Sequence, residues 1–508
     1  MFNNIPTYLL LLMILSVSLV ACSPKLTQHH VLAFNKHNEL LKKANQNDKE
    51  AQLELALIYK KSKKKSKVRQ SYIWFLSLAK NGNGIAQYQL ADIYYRGILA
   101  AKNYKKAFFW YKKASKQGIE KSNYWLGLMY KDGKGTKRNY KQAFKLLLSR
   151  AKKGNASAMY YVGFMHKNGL GVTKNLKLAR HWFFRALFHG NFQAKFQIGQ
   201  MYYHGIEVFQ NYKVAYFFLK EPARHGNTTA QYYLGMIFKE GKGFKKNDKL
   251  AIYWLKKASD SGNVEAKYHL ALTYFRGNIK VRDRKKAFKI FKELEQENDP
   301  RVQYNLGLMY ATGQGVRRNF QKAFIWLNKS AKQNMPESLF YLAKMYHFGK
   351  GVSQNNVQAL WYYQKAAQHN YPAAKYEIAQ FYQHGNVVIK DNEYALSLYE
   401  QAGELGYGKA YFALGIIHSE GSIVRQNSKL AEEYFVKAAM TGDAESQYQL
   451  GTFYALGFRT KSDNVLAHYW LTKAKDNNYK NADIALEGIA RRMTQQEILK
   501  SNNLTMEQ

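Results

Sequence analysis

The feature that most constrains this chain is a spacing. Stepping by 36 residues from Ala86 lands on Ala86, Ser122, Ala158, Ala194, Ala230, Ala266, Val302, Ser338, Ala374, Ala410, Ser446 and Ala482, with no insertion between them. The stretch Val302 to Glu337 is representative, and a degenerate copy one residue shorter opens at Ala51. A fixed period of this length marks one supersecondary unit that cannot bury its apolar face alone and must stack on copies of itself. A chain of 508 residues would ordinarily divide into globular domains, but an array grows in one dimension. The expectation is one elongated all-α domain.

Each position of the repeat has a job when copies are numbered from zero at their first residue. Places 1, 4, 5 and 8 fall on one side of a helix of 3.6 residues per turn and are expected to form the core stripe of a first helix, helix A. Place 4 is aliphatic in all eleven full copies, from Leu90 to Leu450, and place 5 is always Gly or Ala, which allows close helix contact. Place 11 is always Gly, from Gly97 to Gly457, where helix A must end in a left-handed residue. Place 17 is Asn or Asp in every full copy, the N-cap preference for a second helix, helix B. Place 21 is always Ala, and place 32 is always Gly or Asn, the residues that best tolerate a left-handed stop. Pro222 and Leu294 replace the usual Ala near the end of helix B and are expected to bend or loosen the stack there.

This pattern, with Gly133, Gly135, Asn139, Ala143 and later Gly349, Gly351, Val352, Asn355, Ala359, Ala366 and Ala367 carrying it, resembles the Sel-1-like repeat of the tetratricopeptide-type helical-repeat superfamily. The likeness covers about residues 51 to 490. It implies a right-handed α-α superhelical solenoid of about twelve helix-turn-helix repeats, a concave face that binds proteins, and no catalysis.

The N-terminus reads as a targeting segment. Tyr8 to Ala21 is an apolar run too short for an ordinary membrane span and suited to a secretory signal. Leu19, Val20, Ala21 and Cys22 resemble the bacterial lipoprotein signal, although the n-region has no Lys or Arg. The resemblance implies cleavage after residue 21 and acylation of Cys22, and Ser23 implies sorting to the outer membrane, facing the periplasm. The expected division is a signal peptide over 1–21, a tether over 22–30, an N-terminal capping helix over 31–50, the array over 51–481, and capping helices with a frayed tail over 482–508. Thr494 to Glu497 spells a capping box for the final short helix, and Ser501 to Gln508 is expected to fray.

Charge narrows the partners. The net charge is +43, and residues 1 to 250 hold 44 Lys and Arg against 11 Asp and Glu. The first half therefore has the stronger attraction for anionic partners. One cysteine excludes an intramolecular disulfide framework and any multi-cysteine metal site. There is no phosphate-binding glycine loop, no paired zinc-ligand spacing and no nucleophile elbow, so catalytic residues, metal and cofactor are all expected to be absent. His166 and His418 stand at place 8, where other copies have Tyr or Phe, and are read as packing residues.

Place 2 is aromatic in every full copy and lies about 110° from the centre of the core stripe. Tyr88, Tyr124, Tyr160, Phe196, Tyr232, Tyr268 and Tyr304, with Lys131, Lys167 and Lys239 at place 9, are the candidate groove-lining residues. The competing reading is that place 2 packs on the neighbouring repeat. The function expected is a non-catalytic, lipid-anchored periplasmic scaffold for one or more protein partners. The alternative is a binder of an anionic polymer, such as acidic exopolysaccharide or peptidoglycan, in an export or envelope-maintenance machinery. Nucleic acid is not expected as a partner, because a secretory signal places the chain elsewhere.

Overall fold

The computed structural model describes residues 24–457 and 462–504, with side chains described from residue 35 onward. The expected signal peptide and Cys22 lie outside these residues, as do residues 505–508. Every regular element among the described residues is helical. The chain divides into two compact units, an N-terminal one that runs to residue 237 and includes 241–245, and a C-terminal one of 238–240 and residues from 246 onward. The sequence suggested a single body. In an array each repeat touches only its neighbours, so the long-range contacts that would hold a globular domain together are missing at every junction.

Within each unit the repeat reads as two helices of about thirteen residues, such as Pro300–Thr312 followed by Phe320–Ala331. Helix A stops where the glycine pattern requires. Ten of the eleven place-11 glycines adopt the left-handed cap, from Gly97 at φ 73° to Gly457 at φ 63°. Gly277 alone is extended, and there the next residue, Asn278, donates its N–H to Asp248 Oδ2 at 2.8 Å. Helix B starts at place 17 in every full copy. The Asn or Asp side chain accepts the N–H three residues on, as Asn319 does from Lys322 at 2.8 Å. The same residue's own N–H donates back to the carbonyl at place 8 of helix A, as Asn319 does to Tyr310 at 2.9 Å. One residue thus ends the loop and fixes the angle between the two helices. All eleven place-32 residues have positive φ, whether Gly118 at 81° or Asn298 at 51°.

The core is built on the small positions. Every place-21 alanine is at most 1 % exposed. Place 5 is small because helix B presses on it: a Cβ on Gly127 would sit 2.7 Å from Leu147 Cγ, and one on Gly415 would sit 2.5 Å from the Phe435 ring. The stripe is wider than the one read from sequence, since place 7 (Met129, Met165, Met309) is also buried. Helix A is covered by its own helix B and by the helices of adjoining repeats, so its buried arc exceeds that of a surface helix. Place 1 is buried yet often Gln. Gln52, Gln87, Gln231 and Gln447 each donate from Nε2 to a carbonyl at the end of the preceding helix B, at 2.9 to 3.2 Å. These side chains satisfy carbonyls that a helix end leaves orphaned.

The expectations fail at the tether, at Pro222 and at Ser501, and hold at Leu294 and at the Thr494 capping box. Residues 24–30, read as tether, belong to the helix Pro24–Asn45, which Pro24 can open because the first turn needs no N–H from it. Pro222 leaves its helix, Tyr212–Arg224, at full length, whereas at Leu294 the helix stops at Glu293 and continues as a short 3-10 turn over Glu295–Glu297. The helix after the last repeat is Ala482–Ala490, and the capping box of Thr494 and Glu497 opens Gln495–Asn502. Ser501 does not fray: it is 2 % exposed and its Oγ lies 2.9 Å from His468 Nδ1.

Candidate binding site

The place-2 aromatics are half-buried on the whole, and Tyr268 is buried. Several pack inside their own repeat, against place 25 of helix B: Tyr88 on Tyr111 with ring centroids 5.7 Å apart, Tyr160 on Phe183 at 5.8 Å, and Tyr268 on Phe291 at 6.1 Å. Others reach place 3 of the next helix A, as Tyr124 does to Tyr161 at 6.4 Å and Tyr304 to Tyr341 at 5.8 Å. Phe196 and Tyr232 are also half-buried. The row is therefore first a packing device.

The place-9 lysines span to the following repeat, each toward its place 3. Lys131 lies 5.3 Å from the Tyr161 ring and pairs with Asp132. Lys167 donates to Gln197 Oε1 at 2.8 Å, and Lys239 Nζ is 3.0 Å from His269 Nδ1. Burial pushes the pKa of Lys167 and of Lys239 below the usual lysine value. Lys60 in the degenerate copy does the same, donating to Gln89 at 2.7 Å and pairing with Asp92 at 2.9 Å. These cations bridge repeats. His166 and His418 are packed as expected, His166 edge-on to Phe144 and His418 stacked on Tyr434, and burial lowers both pKa values.

Sequence reasoning missed where helix A leaves room. In the C-terminal unit three adjoining cavities lie along helix A of successive repeats. One of about 160 Å³ is bounded by His347, Glu377, Gln380 and His384. A second of about 400 Å³ shares Gln380 and His384 with it and continues past Tyr376 and Tyr399 to Phe412 and Ile416. A third of about 180 Å³ shares Phe412 and Ile416 and ends at Phe453 and Leu456. The shared walls make these one trough, polar at the His384 end and apolar at the Leu456 end. Leu456 is 78 % exposed and Ile416 37 %. Burial holds the Glu377 carboxyl above the usual carboxylate range, against the pull of Lys344 and His347. Lys409 and Glu445 pair across the rim at 2.9 Å. Only Tyr376 and Phe412 among these come from place 2. Tyr399 and Phe453 come from the core places 25 and 7, and the others occupy variable places, which a single sequence does not distinguish from ordinary surface.

No cluster of three metal-ligating side chains occurs among the described residues, and no described helix is long and apolar enough to cross a membrane. Stacked helix pairs tied by a bridged packing ladder define an α-solenoid repeat protein. The chain belongs to the Sel1 repeat family, whose repeat profile matches twelve successive stretches from 49–83 to 444–479. Proteins of this family generally mediate protein–protein interactions and are typically non-catalytic. Among solved structures the chain is similar to a protective antigen present in uropathogenic Escherichia coli strains that displays an SLR fold, at 27% identity and TM-score 0.58, over 84% of this chain and 92% of that one. It is also similar to a Sel1 repeat protein from Oxalobacter formigenes, at 28% identity and TM-score 0.36, over 68% of this chain and 89% of that one. No curated protein matches the chain.

Proposed function

We propose that this protein is a non-catalytic, lipid-anchored scaffold of the bacterial envelope, held at the outer membrane and facing the periplasm, that grips a protein partner along helix A of its C-terminal unit. The observation that carries this reading is the trough from His384 to Leu456, which runs across successive repeats and so suits an extended or helical segment of another chain. The anchor rests on the likeness of Leu19 to Cys22 to a lipoprotein signal. The polymer-binding alternative is weaker on helix A, because the lysines that would meet an anionic chain there are turned to the next repeat.

The test uses solubilised envelope and the mature protein as bait, beside Ile416→Lys and Leu456→Lys. A protein retained by the wild type at high salt and lost from both variants supports the trough, because apolar contact survives screening. Equal recovery by all three would remove it. Separately, the protein should incorporate a labelled fatty acid in cells and Cys22→Ala should abolish that label, whereas an unlabelled wild type would contradict the anchor.

A further inference from the structure

Helix B of the N-terminal unit carries a surface that neither packing nor the trough explains. Places 19, 23, 26 and 30 fall within about 60° of one another on a helix, roughly opposite the buried places 21, 25 and 28. On helix Tyr104–Lys116 they are Lys105, Phe109, Lys112 and Lys116. On Tyr140–Lys152 they are Lys141, Lys145, Leu148 and Lys152. The next helix, Leu176–Phe188, presents Lys177, His181, Phe184 and Phe188. Tyr212–Arg224 presents Lys213, Phe217, Lys220 and Arg224. All are exposed except Leu148 and Lys220, which are half-buried. Two neighbouring helices of this set touch through Phe184 and Phe218, with ring centroids 6.5 Å apart.

Every residue in these four stripes is cationic, histidine or apolar. None of the ten lysines and arginines is in an ion pair. Three carboxylates of this region pair with other cations, Glu120 with Arg150 and Lys153, Asp132 with Lys131 and Lys134, and Glu221 with Lys195. No Asp or Glu occurs between Asp132 and Glu207. Stacking does not demand this, because the same places in the C-terminal unit hold Glu393, Glu400 and Glu404 on helix Asn392–Glu404. Nor does stacking demand exposed phenyl rings, yet Phe188 is 89 % exposed, Phe217 71 % and Phe109 50 %. Apolar rings set in a cationic plane that holds no carboxylate, amide or hydroxyl side chain match the headgroup region of a bilayer.

We propose that the helix-B face of the N-terminal unit lies on an anionic phospholipid surface, with its lysines against headgroup phosphates and Phe109, Phe184, Phe188 and Phe217 dipping to the acyl boundary. This contact is separate from the acyl anchor and does not rest on the helix-A reading.

The test sediments the mature chain from residue 22 carrying Cys22→Ala, so that neither the signal segment nor an acyl group contributes, with vesicles of phosphatidylcholine alone or mixed with phosphatidylglycerol. The Cys22→Ala protein is expected to bind the anionic vesicles and not the neutral ones. On the same background Phe184→Ala/Phe188→Ala/Phe217→Ala should weaken partition about tenfold, and Lys141→Glu/Lys145→Glu/Lys177→Glu by at least about as much. Lys285→Glu/Lys289→Glu, on the matching stripe of the C-terminal unit, should leave it unchanged. Circular dichroism checks that each variant keeps its helices, and Phe188→Ala alone replaces the triple variant if it does not. Equal binding to neutral vesicles, or undiminished binding by the phenylalanine variant, would overturn the proposal. So would tighter capture by a soluble acidic polysaccharide, which would assign the stripes to a polyanion.

Discussion

Val387 occupies a backbone conformation that five other repeats give to glycine. It stands at place 13 with φ 56°, in the left-handed region, as do Glu207 at 56° and, further out, Leu99 at 130°. Where place 13 is Gly, the loop lies against the start of the previous helix B: a Cβ on Gly135 would fall 2.1 Å from the Tyr104 carbonyl oxygen. A β-branched residue in that region is strained by roughly 1–2 kcal/mol. Val387→Gly is therefore expected to stabilise its repeat by about 1 kcal/mol, and Gly135→Val to destabilise by more, both measured by urea unfolding. A neutral Val387→Gly would mean that the loop has absorbed the strain. At this scale the sequence was legible wherever a residue type has one conformational use, as with the caps at places 11, 17 and 32. It was opaque at place 1, where a buried Gln on an apolar stripe looks like noise until the carbonyl it satisfies is known. Place 9 was opaque for the same reason: a lysine's reach into the next repeat is a tertiary fact.

Elements are tied together by recurrences one period apart. Arg301 and Glu265 both stand in the first turn of helix A, one repeat apart, and pair bidentately at 2.8 and 2.9 Å, with Asp299 2.6 Å from the same guanidinium. The Arg301 guanidinium holds the Glu265 carboxyl below the usual carboxylate range, with a smaller contribution from His269. A depressed native pKa means stability that is present above the ordinary glutamate pKa and lost as pH falls through the lower native value. Both groups are partly exposed, so screening limits the effect to about 0.5–1 kcal/mol. Hydrogen exchange in helix Val264–Arg276 should accelerate between pH 6 and pH 3 more in the wild type than in Glu265→Gln, after correction for intrinsic rates. Identical pH dependence would show that the pair contributes nothing to the stack. The helix boundaries themselves were readable from caps and stops. The exceptions were Pro24, where proline suits a helix start, and Ser501, held by a histidine two helices away.

Across the molecule, the charge asymmetry seen in composition resolves into places. The N-terminal unit concentrates it on outward helix-B stripes, while the C-terminal unit mixes Glu393, Glu400 and Glu404 into the same positions and opens its helix-A side instead. The fold was legible because each repeat must spell the same stacking code. The site was only partly legible, since place 2 serves packing along the array and also walls the trough at Tyr376 and Phe412. What makes a trough there is the variable set Gln380, His384, Ile416 and Leu456, chosen against no internal template. The proposed occupant of this trough is a segment of another protein. The most direct measurement places a photo-crosslinking amino acid at Ile416 in living cells and, as a control, at Ile325, which is 53 % exposed on helix B of the same unit. A discrete protein adduct from position 416 and none from 325 is the predicted result. No adduct at 416, or the same adducts at both positions, would contradict it.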